Sequence, residues 1–346
     1  MNQSLSGPER LQHLLNSRSM STVVLESSIA ALIFLVAVSG NVLVLLVVYK
    51  TPRLRNAAGI LITSLAISDI AMLLFEFPIT FSAIIIGRWL GGFYLCQITG
   101  YAVPFLCSAS VQTMALMALD RHFRIAHPVK HRTIFSVRRT KLMALFVWLC
   151  ASTVQLPYIA TGGVYTFHPG KDICFAEFTL AANVGIVYLV LPSIVVQHFY
   201  LKVFLALRAN KKRVQTLQGL TSDSLRMTTQ EIKLTRTLLV TVLAYAICWT
   251  PVMITDLVDM AFGGWALPRG VYLMYSTCGL ASCSINPLVY GTMNKEFRNE
   301  YVKLLGLRNR TNNPSNSGKF RAVFRSVALQ GCEREDINLA SIHKIY

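Results

Sequence analysis

The sequence predicts an all-α membrane protein: a seven-transmembrane helix bundle followed by a short amphipathic eighth helix. Seven apolar stretches lead to this prediction, since a helix of about 20 apolar residues spans the hydrocarbon core of a bilayer. The stretches begin near Ser27, Gly59, Phe93, Leu142, Leu180, Leu238 and Val271. Because lipid cannot satisfy backbone amides, each stretch must be a helix or a barrel strand, and residues 30–49 lack the alternation of a barrel strand.

The distribution of positive charge predicts the orientation of the bundle. Of the 33 Lys and Arg residues, 28 fall on the side of the C-terminus and 5 on the side of the N-terminus. Cytosolic loops carry such an excess, so we expect an extracellular N-terminus and a cytosolic C-terminus in a multi-pass protein of the plasma membrane. The net charge of +17 therefore indicates contact with anionic lipid and a cytosolic partner, not with nucleic acid.

The chain divides into four predicted parts. They are an extracellular N-terminal tail, the seven-helix bundle, an amphipathic helix on the membrane surface and a disordered cytosolic tail, at residues 1–26, 27–293, 294–308 and 309–346 respectively. The first part lacks the apolar core of a cleavable signal peptide, and we expect it to be loosely structured. Asn2 within it begins Asn-Gln-Ser, a candidate glycosylation site.

A carboxylate within the second span is the first candidate for function. Asp69 lies in the sequence LAISDIAMLL, and a charge at that depth needs a partner, a proton or a cation. Other spans offer polar side chains at comparable depth: Asn41, Ser110, Ser282 and Asn286. Carboxylate, hydroxyl and amide oxygens suit a small hard cation such as sodium. A polar packing node without an ion is the alternative.

The cytosolic end of the third span carries Asp120, Arg121 and His122 in succession. Asp120 and Arg121 can form a local ion pair, and Glu231 at the start of the sixth span can also reach Arg121. A pair between two helices can work as a latch that holds their ends together and exposes a cleft when it opens. A charge cluster that only sets topology is the alternative.

Prolines and acidic residues mark the remaining candidates in the spans. We expect three prolines to bend their helices: Pro192, Pro251 and Pro287. Trp249 is a bulky side chain two residues before one of these hinges. Toward the outer half, Glu76, Asp256 and Asp259 can meet a cationic group of a ligand, although for Asp259 we expect a place at the water boundary instead.

The eight cysteines differ in the compartment that they face. Five lie in spans, where cysteines are usually small buried packing residues: Cys107, Cys150, Cys248, Cys278 and Cys283. Cys332 lies in the cytosolic tail and is expected to be reduced. Only Cys96 and Cys174 face an oxidising compartment, which predicts a disulfide between them.

Taken in order, these residues resemble the rhodopsin-like G-protein-coupled receptors over about residues 25–308. The motifs are GNVLV with Asn41, LAISD with Asp69, Cys96, DRH at 120–122, Trp148, Pro192 with Tyr200, CWTP at 248–251 and NPLVY at 286–290. Each motif alone is a weak signal, but all of them in order and at the family's spacing are specific.

The resemblance implies a receptor that binds an extracellular ligand in the outer half of the bundle, activates a heterotrimeric G protein and catalyses no reaction. The residues assigned to coupling and activation are Asp120, Arg121, His122, Tyr200, Glu231, Trp249, Pro251, Asn286, Pro287 and Tyr290. A sodium ion would be held by Asp69, Ser110, Ser282 and Asn286, and no covalent cofactor is expected. The ligand pocket would comprise Glu76, Val103, Cys107, Phe175, Tyr188, Trp249, Val252, Met253, Asp256, Tyr272 and Ser276.

Departures from the family pattern narrow the ligand. Val103 stands where amine receptors carry Asp, and Leu280 stands where opsins carry the retinal Lys, so neither a monoamine nor covalent retinal is expected. The segments LRNAAGILITSLAISD, CFAEF and VYGTMNKEFRNEY are similar to melatonin receptors, although DRH and NPLVY replace their usual NRY and NAxxY. The chain is identified as a melatonin-receptor-like or opsin-adjacent member. Its ligand would be a melatonin-like indoleamine or another small molecule, with a peptide as the alternative.

Arrestin and membrane lipid are further expected partners, and two functions of other classes stay open. In an ion-coupled transporter, Asp69 would relay protons or sodium, although the sequence shows no internal repeat. A non-signalling protein that dimerises with a receptor is the second. Enzyme catalysis has no support, because the sequence contains no metal-spaced His/Cys cluster, nucleophile elbow or phosphate loop.

Overall fold

A computed structural model describes residues 6–176, 190–203, 205, 222–262 and 264–306, with the backbone alone over 222–234. The helices in chain order are α1 (Gly7–Asn16), α2 (Met20–Lys50), α3 (Ala57–Ile86), α4 (Gly92–Ala126), α5 (Pro128–Ile134), α6 (Val137–Ser152), α7 (Leu156–Ala160), α8 (Val190–Val203), α9 (Ser222–Phe262), α10 (Arg269–Met293) and α11 (Lys295–Leu304). Between α7 and α8 lies an antiparallel hairpin of strands β1 (Tyr165–His168) and β2 (Ile173–Ala176).

The predicted spans correspond to α2, α3, α4, α6 with α7, α8, α9 and α10. Five stretches are long and apolar enough to cross a membrane: Met20–Lys50, Ala57–Ile86, Gly92–Ala126, Val137–Ala160 and Thr235–Phe262. Helix α8 is described over a shorter length, and α10 carries several Ser, Thr and Asn side chains that lower its hydropathy. Outward-facing side chains such as Leu35 and Ile247 are 62% and 72% exposed, as expected of a surface that meets lipid. The predicted fold class is confirmed.

Local sequence explains where the long helices begin and end. Ser19 and Asn56 precede α2 and α3, and their side chains accept hydrogen bonds from Thr22 N and Gly59 N at 3.2 Å each. Such caps satisfy amides that have no partner within the helix. Helix α3 ends at Gly87, whose φ of 77° is a left-handed conformation that favours glycine.

The prediction of three prolines within spans is incomplete. Pro251 and Pro287 lie inside α9 and α10 as predicted, and Pro192 lies in α8. In addition, Pro78 and Pro104 lie inside α3 and α4. A proline read from sequence near the middle of an apolar stretch therefore does not end a helix here, since neighbouring helices compensate for the missing hydrogen bond.

The N-terminal segment is more structured than predicted, because residues 7–16 form helix α1 rather than a loose tail. A capping box starts it: Ser6 N donates to Glu9 Oε2 over 2.9 Å. Leu11 and Leu15, four residues apart on one face, are fully buried. Arg10 Nη2 also donates to the backbone oxygen of Trp265 at 2.8 Å, beyond the end of α9. This pair of leucines was the sequence signal that the tail prediction missed.

The chain forms two compact units, Met1–Phe297 and Arg298–Tyr346. Helix α11 begins in the first unit, where Phe297 is buried and its ring centroid lies 5.3 Å from that of Tyr290. The place of α11 on the membrane surface stays a prediction. Asn2 and residues 307–346, with the predicted disordered tail and Cys332, lie outside the described residues.

Candidate functional site

The inner end of α4 contains the predicted local ion pair. Arg121 Nη2 donates to Asp120 Oδ2 over 2.5 Å, and both side chains are 1% exposed. His131 on α5, which the sequence analysis did not single out, donates from Nε2 to Asp120 Oδ1 at 2.8 Å. Asp120 is therefore held between a guanidinium and an imidazole, both within eleven residues of it along the chain. The side chain of Glu231 lies outside the described residues.

Other predicted coupling residues surround this end of the bundle. The ring of His122 lies 5.3 Å from that of Phe199 on α8. Tyr200 on the same helix is buried, and its hydroxyl has no hydrogen-bond partner among the described residues. Tyr290 on α10 is also buried and packs against Phe297. His122 on α4 and Tyr200 on α8 therefore lie at the end of the bundle that carries the Arg121 pair, and Tyr290 on α10 packs against α11.

A polar cluster fills the middle of the bundle around Asp69. Ser110 Oγ donates to Asp69 Oδ1 at 3.2 Å, and Asn286 Nδ2 donates to Oδ2 at 2.7 Å. Ser68 Oγ, missed in the sequence analysis, lies 2.8 Å from Ser110 Oγ. Asn286 Oδ1 is buried and accepts no hydrogen bond from any described residue. The cluster therefore offers a carboxylate, hydroxyls and an orphaned amide oxygen, a donor set that fits a small hard cation.

Two residues proposed for the same cluster make their hydrogen bonds elsewhere. Ser282 Oγ donates to the Gly279 oxygen within its own helix at 2.7 Å. Asn41 Nδ2 donates to the backbone oxygens of Ala37 and Cys283, each at 2.9 Å. Asn41 thus joins α2 to α10 without bonding Asp69.

The predicted ligand pocket separates into two regions. In the first, Trp249 and Met253 line a cavity of about 280 Å³ between α4, α8 and α9, which extends past them toward the inner half of the bundle along Met114 and Val242. The Trp249 ring stacks on that of Tyr245 at 5.5 Å between centroids, and Tyr245 Oη lies 4.0 Å from Cys107 Sγ. These contacts place bulky aromatic side chains beside Pro251, where α9 lacks a backbone hydrogen bond.

The second region, at the outer end, is occupied by Lys171 from the hairpin turn. Its Nζ lies 3.0 Å from Asp256 Oδ1 and 3.3 Å from Asp259 Oδ2, and the side chain is completely buried. The same ammonium lies 3.9 Å from the ring centroid of Phe175 and 4.3 Å from that of Tyr275. Lys171 was counted in the sequence only as a loop charge, so this contact is new.

Backbone contacts hold the same turn in place. Ser276 Oγ on α10 donates to the Lys171 backbone oxygen. A Cβ at Gly170 would lie 2.6 Å from Tyr272 Cδ2, so the close approach of the turn to α10 requires glycine. Beneath the turn, Ile173 forms a small apolar cluster with Val252 and Tyr275. Four predicted pocket residues on the helices therefore contact the loop, namely Val252, Asp256, Tyr272 and Ser276, and a fifth, Phe175, belongs to the loop itself.

Asp259 does not lie at the water boundary, and that expectation was wrong. It is fully buried, because Lys171 faces one of its oxygens and the Tyr272 hydroxyl donates to the other. Glu76 is buried as well, and no hydrogen bond to its carboxylate is found within the described residues. Val103 is half-buried on α4, and Tyr188 lies outside the described residues.

A disulfide between Cys96 and Cys174 fixes the hairpin to the start of α4, as predicted. The Cα atoms of the pair are 5.4 Å apart. The next residue on α4, Gln97, binds the hairpin backbone: its Nε2 donates to the Tyr165 oxygen at 2.9 Å, and its Oε1 accepts from Tyr165 N at 3.0 Å. The loop is therefore bound to α4 through both of its strands.

A chain of ion pairs crosses the outer end from the hairpin to α1. Arg269 lies 3.4 Å from Asp172 and donates to both oxygens of Glu26 at 2.7 and 2.9 Å. Glu26 in turn lies 2.5 Å from Arg18, next to α1. Burial raises the pKa of Asp172 to about 7, against the opposing effect of Arg269. The network connects the outer loop, α10 and α2.

His168 closes the other side of the turn. Its ring stacks on Trp265 at 4.1 Å between centroids, and its Nδ1 accepts from the backbone N–H groups of Gly170 and Lys171. Burial lowers the pKa of His168 to about 2, and the Lys171 cation adds to that lowering. The imidazole is therefore neutral at physiological pH and free to accept these bonds.

The arrangement of helices and motifs agrees with comparisons to known proteins. The 7 transmembrane receptor (rhodopsin family) profile matches residues 40–290. Melatonin receptor type 1A of Phodopus sungorus is 26% identical over 285 residues, which cover 79% of this chain and 78% of the relative. Melatonin receptor type 1B-B of Danio rerio is 24% identical over 297 residues, with 84% of each chain covered. A crystal structure of squid rhodopsin shares the fold, with a TM-score of 0.72 at 20% identity over 89% of this chain and 91% of that one.

Proposed function

The chain belongs to the rhodopsin family of seven-transmembrane receptors, and from this we propose how it signals: an extracellular ligand binds in the outer half of the bundle and activates a heterotrimeric G protein inside the cell. A member of this family is a multi-pass receptor of the plasma membrane that acts through a G protein and is not an enzyme. The proposal includes an N-terminus outside the cell and a C-terminus in the cytosol. The basic inner loops support this orientation.

The observation that carries the proposal is the buried pair of Asp120 and Arg121. The two side chains are paired at 2.5 Å at the end of α4 that the charge distribution assigns to the cytosol. Opening the pair would present Arg121 to the G protein, while Tyr200 and Tyr290 support the opened helix ends. An agonist that binds the open state better than the closed one shifts the population toward it.

Substitution of Arg121 tests this role. Purified receptor variants are combined with each Gα class, and nucleotide exchange is measured in a screen led by melatonin, other indoleamines and short peptides. We expect Arg121→Ala to abolish ligand-driven exchange while surface expression is retained. Arg138→Ala, which removes an exposed cation at the same end, serves as the control. Exchange retained in Arg121→Ala would remove Arg121 from the mechanism.

We propose a small molecule as the ligand, with a melatonin-like indoleamine first. The relatives at 24–26% identity are melatonin receptors, and the cavity of about 280 Å³ beside Trp249 lies just below the volumes of about 300–1,000 Å³ that small-ligand pockets have, which favours a small ligand over a large one. A peptide is the second candidate and would have to enter past the hairpin at the outer end. Displacement of labelled melatonin by unlabelled indoleamines and peptides distinguishes the two classes, and Trp249→Ala should weaken a small ligand that enters this cavity.

We also propose that Asp69, Ser110 and Asn286 hold a sodium ion. A bound ion would stabilise the folded receptor in proportion to its concentration. Melting of purified receptor in sodium chloride should exceed that in choline chloride at equal ionic strength, and Asp69→Asn should remove the difference. Ser282→Ala should retain it, because Ser282 bonds within its own helix. An undiminished sodium effect in Asp69→Asn would leave the cluster a packing node without an ion.

Arrestin and anionic lipid of the inner leaflet are further proposed partners. The 28 Lys and Arg residues assigned to the cytosolic side support the lipid proposal, since anionic lipid attracts basic segments close to the membrane, and arrestin is proposed from the family alone. Glycosylation of Asn2 is proposed from its sequon alone. Binding of purified receptor to nanodiscs with and without anionic lipid tests the lipid proposal.

A further inference from the structure

The acidic residues at the outer end are already in contact with an ammonium group. Asp256 and Asp259, one turn apart on α9, face Lys171 Nζ at 3.0 and 3.3 Å, and Lys171 is completely buried. Removing an ammonium from water is costly unless carboxylates and further polar contacts compensate. The burial of a lysine at this position therefore indicates that the surrounding groups can bind a cation.

Aromatic rings complete the surroundings of this ammonium. Phe175 and Tyr275 place their ring centroids 3.9 and 4.3 Å from Lys171 Nζ, and Tyr272 lies at 5.7 Å. The electron-rich faces of aromatic rings attract cations, most strongly where water is excluded. Two carboxylates and two close aromatic faces form the kind of site that recognises organic ammonium groups.

The conformation of the hairpin turn places Lys171 in this site. His168 Nδ1 accepts from Gly170 N and Lys171 N at 3.2 and 3.1 Å, which folds the turn back on itself. Asp172 has a φ of 55°, an uncommon left-handed conformation for a residue other than glycine. A lysine exposed on the surface requires neither the His168 hydrogen bonds nor the left-handed Asp172, so we attribute both features to the placement of the Lys171 side chain.

One carboxylate oxygen retains capacity for a stronger contact. Asp259 Oδ2 is buried and has no hydrogen bond within the described residues, although Lys171 Nζ lies 3.3 Å away. The Lys171 ammonium thus lies near both carboxylates, and of these two it donates a hydrogen bond to Asp256. The ammonium of a free ligand is not held by a side chain and can therefore donate hydrogen bonds to both Asp256 and Asp259.

We infer that Asp256, Asp259, Phe175 and Tyr275 form a binding site for an organic ammonium group, which Lys171 fills from within the chain. A ligand that carries a primary ammonium on an apolar stem enters the site by replacing Lys171. The existence of this site does not depend on the proposed function. Its use by a ligand that activates the receptor does depend on the proposed function. Val103 leaves the third span without a carboxylate, so the counter-charge for such a ligand lies on α9.

A ligand can enter the site only if it displaces the Lys171 ammonium, which is attached to the chain. A group on a short tether acts at an effective concentration of about millimolar or higher. A simple amine therefore does not displace Lys171, and a successful ligand needs additional contacts, such as those offered by the cavity beside Trp249 and Met253.

Chemical complementation tests the inference. Lys171→Ala removes the atoms beyond Cβ, which correspond to n-propylammonium. The full-length receptor is purified, and its melting temperature is measured with and without millimolar n-propylammonium chloride. We expect Lys171→Ala to melt roughly 5 °C or more below the wild type, because the two carboxylates lose their cation. Propylammonium should restore at least half of the loss and leave the wild type unchanged.

Three controls make the result specific. The neutral analogue 1-propanol should restore nothing, and the double variant with Lys171→Ala and Asp259→Asn should not respond to propylammonium. Arg88→Ala removes an exposed cation from the same side and should be insensitive to the amine. Absence of rescue in folded Lys171→Ala, or equal rescue by 1-propanol or in the double variant, would overturn the inference.

A second measurement covers the case in which Lys171→Ala does not survive purification. Cells that express the variant are grown with propylammonium, and receptor at the surface is counted. A several-fold rise confined to Lys171→Ala supports the site, and no rise contradicts it. Neither assay measures activation of a G protein, so a receptor that fails to activate one would still show the rescue, and the two proposals fail independently.

Discussion

Buried ion pairs hold both ends of the bundle, but they connect the chain over very different distances. At the inner end, Asp120 pairs with the adjacent Arg121 and with His131 eleven residues later. At the outer end, Lys171 reaches Asp256 across 85 residues, and Arg269 reaches Glu26 across 243 residues. The inner pair can therefore open without separating distant segments. The outer pairs, in contrast, connect the loop to α9 and α2 to α10.

This difference suggests that the outer ion pairs mainly stabilise the fold and that the inner pair mainly controls coupling to the G protein. Breaking a long-range pair removes a contact between elements and should appear mainly as lost stability. Breaking the local pair changes the inner end alone and should appear mainly as altered coupling. Three substitutions and one pH dependence test this difference, in order of decreasing expected effect.

The first change removes the covalent link at the outer end. Replacing Cys96 and Cys174 together by Ser opens a bond between residues 78 positions apart. A native disulfide contributes about 2–5 kcal/mol, so the melting temperature of the purified receptor should fall by roughly 10 °C. Cys150→Ser, at a free half-buried cysteine, is the control and should change little. A double-serine receptor that melts like the wild type would show that the ion pairs suffice to hold the loop.

The second change removes one carboxylate from the long-range network. Asp259→Asn removes the buried carboxylate that faces Lys171 beside Asp256 and that accepts from the Tyr272 hydroxyl, which should cost about 3 kcal/mol of unfolding free energy. Asp256→Asn is the matched comparison and should cost less, because the Asp256 side chain is 15% exposed and that of Asp259 is fully buried. Chemical denaturation in detergent measures both, and the reverse order would contradict the assigned geometry.

The third change opens the local pair. Asp120→Asn removes the charge that holds Arg121 and should raise basal nucleotide exchange on the G protein roughly tenfold, equivalent to about 1.4 kcal/mol. His131→Gln, which retains a hydrogen-bond donor toward Asp120, should raise it less. Exchange at the wild-type level in Asp120→Asn would mean that the pair does not restrain the inner end.

The fourth and smallest effect is a pH dependence in which two groups oppose each other. The pKa of Asp172 is raised from its ordinary 3.8 to about 7, so between these values the folded state retains a proton that the unfolded state loses, and stability falls as pH rises. The pKa of His168 is lowered from 6.5 to about 2, so stability is lost as pH falls below 6.5. Between pH 7.5 and 5.5 the wild type should change little.

Single variants separate the two contributions. Asp172→Asn leaves the histidine effect, so its melting temperature should drop on acidification from pH 7.5 to 5.5, by about 2–4 °C. His168→Gln leaves the carboxyl effect and should melt higher at pH 5.5. Shifts of the same sign in both variants would contradict the assignment of these two groups.

The sequence was sufficient for the long helices because the bilayer constrains their length and polarity. It was also sufficient for contacts whose chemistry is local or whose depth is fixed: Asp120 with Arg121, and Asp69 with Ser110 and Asn286. The Cys96–Cys174 disulfide followed from the compartment that the two residues face. Each of these predictions used residue type together with position relative to the membrane.

Contacts between distant segments could not be predicted in this way. Lys171 looks like any other loop charge until the hairpin brings it to Asp256 and Asp259, and the same contact explains why Asp259 was wrongly expected at the water boundary. Helix α5 was missed because its link to α4, through His131, is a tertiary contact. Burial of a charge depends on the partner that meets it, and the pattern of one segment does not contain that partner.

The terms outer and inner in this account rest on the orientation of the chain, which one measurement tests directly. Epitope tags are placed at the N-terminus and at the C-terminus of the full-length receptor, and antibody staining is compared in intact and permeabilised cells. We predict staining of the N-terminal tag on intact cells and of the C-terminal tag only after permeabilisation. Staining of both tags from the same side would contradict an odd number of membrane crossings, and with it the assignment of Arg121 to the cytosol and of Lys171 to the ligand side.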